Sequence, residues 1–158
     1  MFLRNPNIVL VIGCAALSAL GFHGFYINAR SIPEDLRTET GVVVSAEMGQ
    51  RKNRIHTVWF TLEGNPRRFA YPGILPRIRQ VWEKIEIGSN VEVVYSYRSD
   101  PKDGVDLWGL SIASIEILTP AQAREARLKN GYFALALGFA FAGCAAYTWQ
   151  LSPRGRRV

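Results

Sequence analysis

The sequence is poor in the side chains from which catalytic and metal sites are built. It has two histidines and two cysteines among 158 residues, and both cysteines, Cys14 and Cys144, fall in apolar stretches near its ends. A disulfide framework in the middle of the chain is thereby excluded, and no Cys/His spacing fits a zinc site. A glycine-rich phosphate loop and a Ser-His-Asp arrangement are also missing. His23 lies within about one turn of the end of an apolar stretch, where a neutral imidazole reaches the headgroup level. His56 opens a strand pattern as a rim residue. These absences argue against an enzyme, and neither a cofactor nor a metal is expected.

Acid is missing from both tails. Arg4, Arg154, Arg156 and Arg157 carry four positive charges there with no Asp or Glu beside them. The formal net charge is +6, yet from Ser31 to Leu118 there are 11 basic and 12 acidic residues. The high isoelectric point is therefore a membrane-topology signal and not a nucleic-acid signature. Arginine next to apolar spans favours cytoplasmic tails, which leaves the middle of the chain outside the cytoplasmic (inner) membrane of a bacterium.

Two long uncharged apolar runs are present, Ile8 to Ile27 and Tyr132 to Leu151. About 20 residues at 1.5 Å each match a hydrocarbon core of roughly 30 Å. Cleavage of the first run as a signal peptide, after Ala19-Leu20-Gly21 or at Cys14, is disfavoured because the apolar run continues to Ile27. Gly13-Cys14-Ala15-Ala16 recurs as Gly143-Cys144-Ala145-Ala146, and Ala134, Gly138, Ala142 and Ala146 recur every four positions. Such small residues let helix backbones approach closely. Gly13, Cys14, Ala134, Gly138, Ala142, Gly143 and Ala146 are accordingly the expected packing positions, between the spans or between protomers of a homo-oligomer.

The middle of the chain alternates with period two. Strands are expected over Gly41–Glu47, Ile55–Leu62, Arg67–Tyr71, Asn90–Tyr95, Val105–Leu110 and Ser111–Leu118, with a hairpin at Asp103-Gly104. Ile74 to Ile85 shows helical spacing. Thr119-Pro120-Ala121-Gln122 has the form of a capping box opening a helix. The expected segmentation is a tail (1–7), a span (8–27), a linker (28–40), a β domain (41–118), a juxtamembrane helix (120–130) running into a second span (131–151), with Asn130-Gly131 as the place for a kink or break, and a tail (152–158). The fold class is membrane α+β, with two transmembrane helices flanking one small, mostly antiparallel barrel of OB or SH3 type.

Gly41-x-Val43, Val58-x-Phe60 and Gly88-x-x-Val91-x-Val93-x-Tyr95 followed by Asp100-Pro101 resemble the bacterial family called domain of unknown function 3592. The resemblance covers roughly residues 40–118. It implies a β domain between membrane spans and brings no activity with it. The sequence departs from the family pattern after Tyr95, where Ser96-Tyr97 stand in place of the usual Asp-Pro.

Charge is unevenly divided within the β domain. Residues 51–79 hold seven basic residues against Glu63 alone, while residues 83–106 hold three basic and six acidic. Asp100, Asp103 and Asp106 share a loop, but their spacing is not that of an EF-hand, and Asp-Gly is ordinary turn chemistry. The expected interaction face is Arg51, Arg54, Arg67, Arg68, Arg77 and Arg79, with Trp59 as an exposed anchor. A protein partner or anionic lipid headgroups fit such a face. The alternative is a cytoplasmic-facing OB-like domain binding single-stranded nucleic acid, which requires the inverted orientation; otherwise the two charged halves simply neutralise each other within the barrel.

Overall fold

The computed structural model describes residues 6–96 and 104–151. The two tails and the loop with Tyr97, Asp100-Pro101 and Asp103 lie outside them. Two compact units are formed, one by the chain up to Arg30 and from Leu128 onward, the other by Ser31–Arg127.

The first unit is a pair of helices. α1 spans Pro6–Asn28, and α3 spans Pro120–Leu151, its later turns belonging to this unit. Both are long and apolar enough to cross a membrane, and only 11% of each apolar window is buried. Nearly all of that apolar surface faces outward, as a lipid-facing helix requires. Aliphatic, aromatic and small residues make up most of both, and no Pro interrupts either interior. The juxtamembrane helix runs into the second span, as expected, and the helix is not broken at Asn130-Gly131. A single glycine costs about 1 kcal/mol relative to alanine, too little to open the helical ladder. The cost is offset because Gly131 lets Asn28 approach, its added Cβ lying 3.2 Å from that of Asn28.

The contact seam of the pair takes four of the expected positions, Cys14, Ala134, Gly138 and Ala142, and leaves Gly13, Gly143 and Ala146 outside it. On α1, Cys14, Ser18, Gly21, Phe25 and Asn28 turn inward in alternating steps of four and three. On α3 the inward residues are Gly131, Ala134, Gly138, Ala142 and Ala145. Gly13, Gly143 and Ala146 are exposed, and a Cβ added at Gly13 or Gly143 meets nothing within 4 Å. A stripe repeating every four residues rotates about 40° per step at 3.6 residues per turn, so it winds off the contact after two or three steps. The backbones are closest at Gly21, where an added Cβ would stand 2.7 Å from Ala134 O and from Gly138 N. Ser18 Oγ donates to Gly138 O at 2.9 Å. Phe22 meets Phe139 edge-on with centroids 5.2 Å apart, and Phe25 meets Tyr132 at 5.9 Å.

The second unit is a closed five-stranded barrel with a sixth strand extending it. Its strands are β1 (Leu36–Arg51), β2 (Arg54–Leu62), β3 (Arg68–Pro72), β4 (Asn90–Ser96), β5 (Val105–Ile112) and β6 (Ile115–Leu118), with a short helix α2 (Ile78–Lys84) between β3 and β4. β1 pairs antiparallel with β4 through its first half and with β2 through its second. β3 continues from β2, and a two-pair parallel contact of β3 with β5 (Phe69↔Val105, Ala70↔Asp106) closes the ring. The cyclic order 1-2-3-5-4, with a helix between β3 and β4, is the OB-type arrangement.

Alternation places Val58, Phe60 and Leu62 inside while Trp59 and Thr61 face out, and Val91, Val93 and Tyr95 inside while Glu92 faces out. Phe60 stacks on Phe69 at 5.6 Å and Phe69 meets Tyr95 edge-on at 5.4 Å, so three strands share one aromatic core. β1 is 16 residues long and begins at Leu36, within the stretch expected to be linker. Polar Arg37, Thr38 and Thr40 hid the strand from a hydrophobic pattern, and pairing with β4 supplies it. α2 is shorter than the helical spacing of residues 74–85 suggested. Pro76 lacks a backbone donor, and Arg77 before the helix takes φ 61°. The capping box forms as expected. Gln122 N donates to Thr119 Oγ1 at 3.1 Å and Thr119 N to Gln122 Oε1 at 3.2 Å. Ala123, on the first turns of α3, is fully buried against the barrel core.

Replacing Gly21 or Gly138 with valine should force the helices apart, measured as loss of oxidative cross-linking between cysteines placed at Phe25 and Tyr132. The same substitution at Gly143 should leave cross-linking unchanged.

Candidate functional site

The β1–β2 hairpin turns at Lys52 and Asn53, both with positive φ (48° and 59°), the mirror-image turn that follows strand twist. Arg51 pairs directly with Arg54 across it. Two like charges facing each other repel, and exposure to water makes the cost small. Beside the hairpin, Gly73 N donates to His56 O at 2.7 Å and draws the β3–α2 loop against the base of β2. A Cβ at Gly73 would stand 2.9 Å from that same oxygen, so only glycine permits the approach. The result is an open groove of about 550 Å³, lined by Arg51, Lys52, Arg54 and His56 on the hairpin and by Ile55, Pro72, Gly73 and Ile74 below and opposite. Ile74 is 39% exposed and forms part of the apolar side of the groove.

The cations of the groove are unpaired. Arg51, Lys52 and Arg54 have no acidic or hydrogen-bonding side-chain partner among the described residues. His56 Nδ1 lies 3.0 Å from Thr57 Oγ1 and the residue is exposed at the strand rim, as the sequence suggested. The arrangement offers one cationic wall and one apolar wall, suited to an anionic ligand with an apolar side.

The other residues of the expected face do different work. Arg67 Nη1 donates to Tyr95 Oη at 2.7 Å, and Tyr95 Oη donates to Glu39 Oε2 at 3.1 Å. Asn65 Nδ2 donates to Glu39 Oε1 at 2.5 Å, and Arg67 N donates to Asn65 Oδ1 at 2.8 Å. Arg67 therefore closes a polar network joining β1, β4 and the β2–β3 turn. Burial, followed by the bond to Glu39, pushes the Tyr95 phenol above its usual range. Arg68 is bonded to Glu47 and lies 4.7 Å over the Trp59 ring. Trp59 in turn rests on Gly49, where a Cβ would stand 2.7 Å from the indole. It is thus half-buried between a glycine and a guanidinium, and not the exposed anchor expected. Phe60, Phe69 and Tyr71, the other aromatics of this stretch, are buried. Burial drives the Tyr71 phenol strongly upward, a rise that the nearby Arg77 charge partly offsets. Arg77 and Arg79 are exposed but do not line the groove.

Lys52, Ile55 and Ile74 belong to the groove and escaped the sequence reading. Lys52 stood in the basic run, whereas the isoleucines carry no signal until the loop folds against the hairpin. His23 is exposed on α1, and the described residues hold no cluster of three metal-ligating groups. Asp106 is committed to Arg127, whose Nη1 lies 3.3 Å from its carboxylate while the guanidinium lies over Trp108.

No family model, curated protein or solved structure matches the chain. The resemblance to domain of unknown function 3592 therefore rests on the strand motifs alone.

Arg67→Ala should destabilise the barrel by about 1.5–3 kcal/mol, since it removes a charge-assisted bond and leaves the Tyr95 phenol with its bond to Glu39 alone. Arg51→Ala and Arg54→Ala should each stay within about 0.5 kcal/mol of wild type. Urea unfolding of the full chain in detergent, followed by tryptophan fluorescence, separates the two classes.

Proposed function

We propose that this protein is a non-enzymatic, membrane-anchored interaction module, in which the hairpin groove of the barrel takes an anionic partner. The observation carrying this reading is the set of three unpaired cations around a groove with an apolar floor. A folded domain gains nothing in stability from concentrating unpaired like charge, so their placement is better accounted for by a ligand. The outward apolar surface of both helices supports membrane insertion. The arginine-only tails support the cytoplasmic membrane of a bacterium, with both ends cytoplasmic and the barrel outside.

Single-stranded nucleic acid is the second reading, favoured by the OB-type ring with a basic hairpin. It is weakened by the lining itself. Binding of single strands draws on exposed aromatic faces, and the groove has none, Trp59 being covered by Arg68.

The full chain in nanodiscs of zwitterionic lipid should bind a fluorescein-labelled glutamate-rich peptide in a salt-sensitive manner. Arg51→Ala combined with Arg54→Ala should weaken binding about tenfold. Failure to bind overturns the reading, and tighter binding of an oligothymidylate than of the peptide replaces it with the nucleic-acid one. Orientation is read separately. A thiol at Glu63→Cys, with Cys14 and Cys144 replaced by alanine, should react with an impermeant maleimide in intact cells; labelling only after lysis would reverse the topology.

A further inference from the structure

The barrel also carries a surface whose charge is opposite to that of the groove. Cross-strand register puts Glu92 opposite Ser111 and Ser111 opposite Glu116, so Glu92 and Glu116 stand in one row across β4, β5 and β6. Ala113 N donates to Asn90 O at 2.9 Å, and Gly88 N donates to Val43 O at 2.8 Å. These bonds bring the β5–β6 turn and the α2–β4 turn side by side at the start of β4. Glu86 and Ile87 lie on one turn, and Ile115 and Glu116 just beyond the other. Ile87 is 74% exposed and Ile115 54% exposed. The carboxylates of Glu86, Glu92 and Glu116 have no basic or hydrogen-bonding partner among the described residues. Among the described residues, each of the two surfaces thus carries three charges without a direct side-chain partner.

We infer that the anionic partner of the groove is the acidic corner of a second copy of this chain, so that barrels associate head to tail. The inference rests on the reading of the groove as an anion-accepting site and names its occupant. Arg51, Lys52 and Arg54 of one barrel meet Glu86, Glu92 and Glu116 of the next, while Ile55 and Ile74 cover Ile87. Complementary charge guides encounter and fixes register, and removing the isoleucines from water supplies the non-directional attraction. Groove and corner are different surfaces of one barrel, so the contact is heterologous. It continues from copy to copy until a ring closes or a row extends. Anchoring by membrane helices confines the copies to a plane and raises their effective concentration, which suits a contact with few charges.

The test uses the full chain in zwitterionic liposomes, labelled at Glu63→Cys in a Cys14→Ala, Cys144→Ala background with donor or acceptor dye. One variant carries Arg51→Glu and Arg54→Glu; the other carries Glu92→Arg and Glu116→Arg. Wild-type donor and acceptor should transfer energy. Each variant alone should lose that transfer by about fivefold or more, because like charges then face each other. A mixture of the two variants should recover it, because each reversed surface meets its complement. Recovery also shows that both variants are folded. No wild-type transfer, undiminished transfer in both variants, or failure of the mixture to recover would each overturn the inference. The glutamate-rich peptide separates this failure from that of the groove reading. If Arg51→Glu with Arg54→Glu abolishes peptide binding while energy transfer is unchanged, the groove accepts anions but its occupant is another molecule.

Discussion

The architecture depends on one strand belonging to two sheets. β1 gives its first seven residues to β4 and the remainder to β2, and the changeover is marked by a register shift between Val43 and Ser45. Without that bend the two sheets would stack as separate layers with open edges. With it they curl until β3 reaches β5, and two residue pairs suffice to close the ring. The aromatic cluster of Phe60, Phe69 and Tyr95 fills the space that closure creates. The polar network of Glu39, Tyr95 and Arg67 ties the first half of β1 to the β2–β3 turn, so the strand is held on both sides of its bend.

Closure also decides which charges are available. Arginines on the barrel wall find partners because neighbouring strands bring acids or aromatic rings to them: Arg68 meets Glu47 and Trp59, and Arg67 meets Tyr95. The β1–β2 hairpin extends past the wall, so Arg51, Lys52 and Arg54 have no neighbouring strand to supply a counter-charge. The same logic leaves Glu86 and Glu116 unpaired beside turns at the start of β4. Among the described residues, the unpaired charges of the groove sit at a hairpin turn, and Glu86 and Glu116 beside turns, where a small barrel meets other molecules.

The helix pair follows a separate rule. In lipid there is no hydrophobic force between apolar helices, so contact depends on close backbone approach and a few polar bonds. Gly21 and Gly138 give the approach, and the bond from Ser18 to Gly138 O adds a directional contact. The repeated Gly-Cys-Ala-Ala tetrads, conspicuous in the sequence, contribute Cys14 and Ala145 to the seam and leave Gly13, Gly143 and Cys144 facing outward.

The sequence by itself determined the two apolar helices, the capping box at Thr119 and five of the six strand positions to within a few residues. All are local matters: run length, period-two alternation and hydrogen bonds between near neighbours along the chain. It did not determine the beginning of β1, whose polar residues are extended because β4 pairs with them. Nor did it determine the helix seam, which depends on the accumulated rotation of a 3.6-residue turn over six turns. The division of seven basic residues into structural and available ones was equally illegible. An arginine is satisfied or free according to what a distant strand places within about 4 Å of it, and that distance exists only after the barrel has closed.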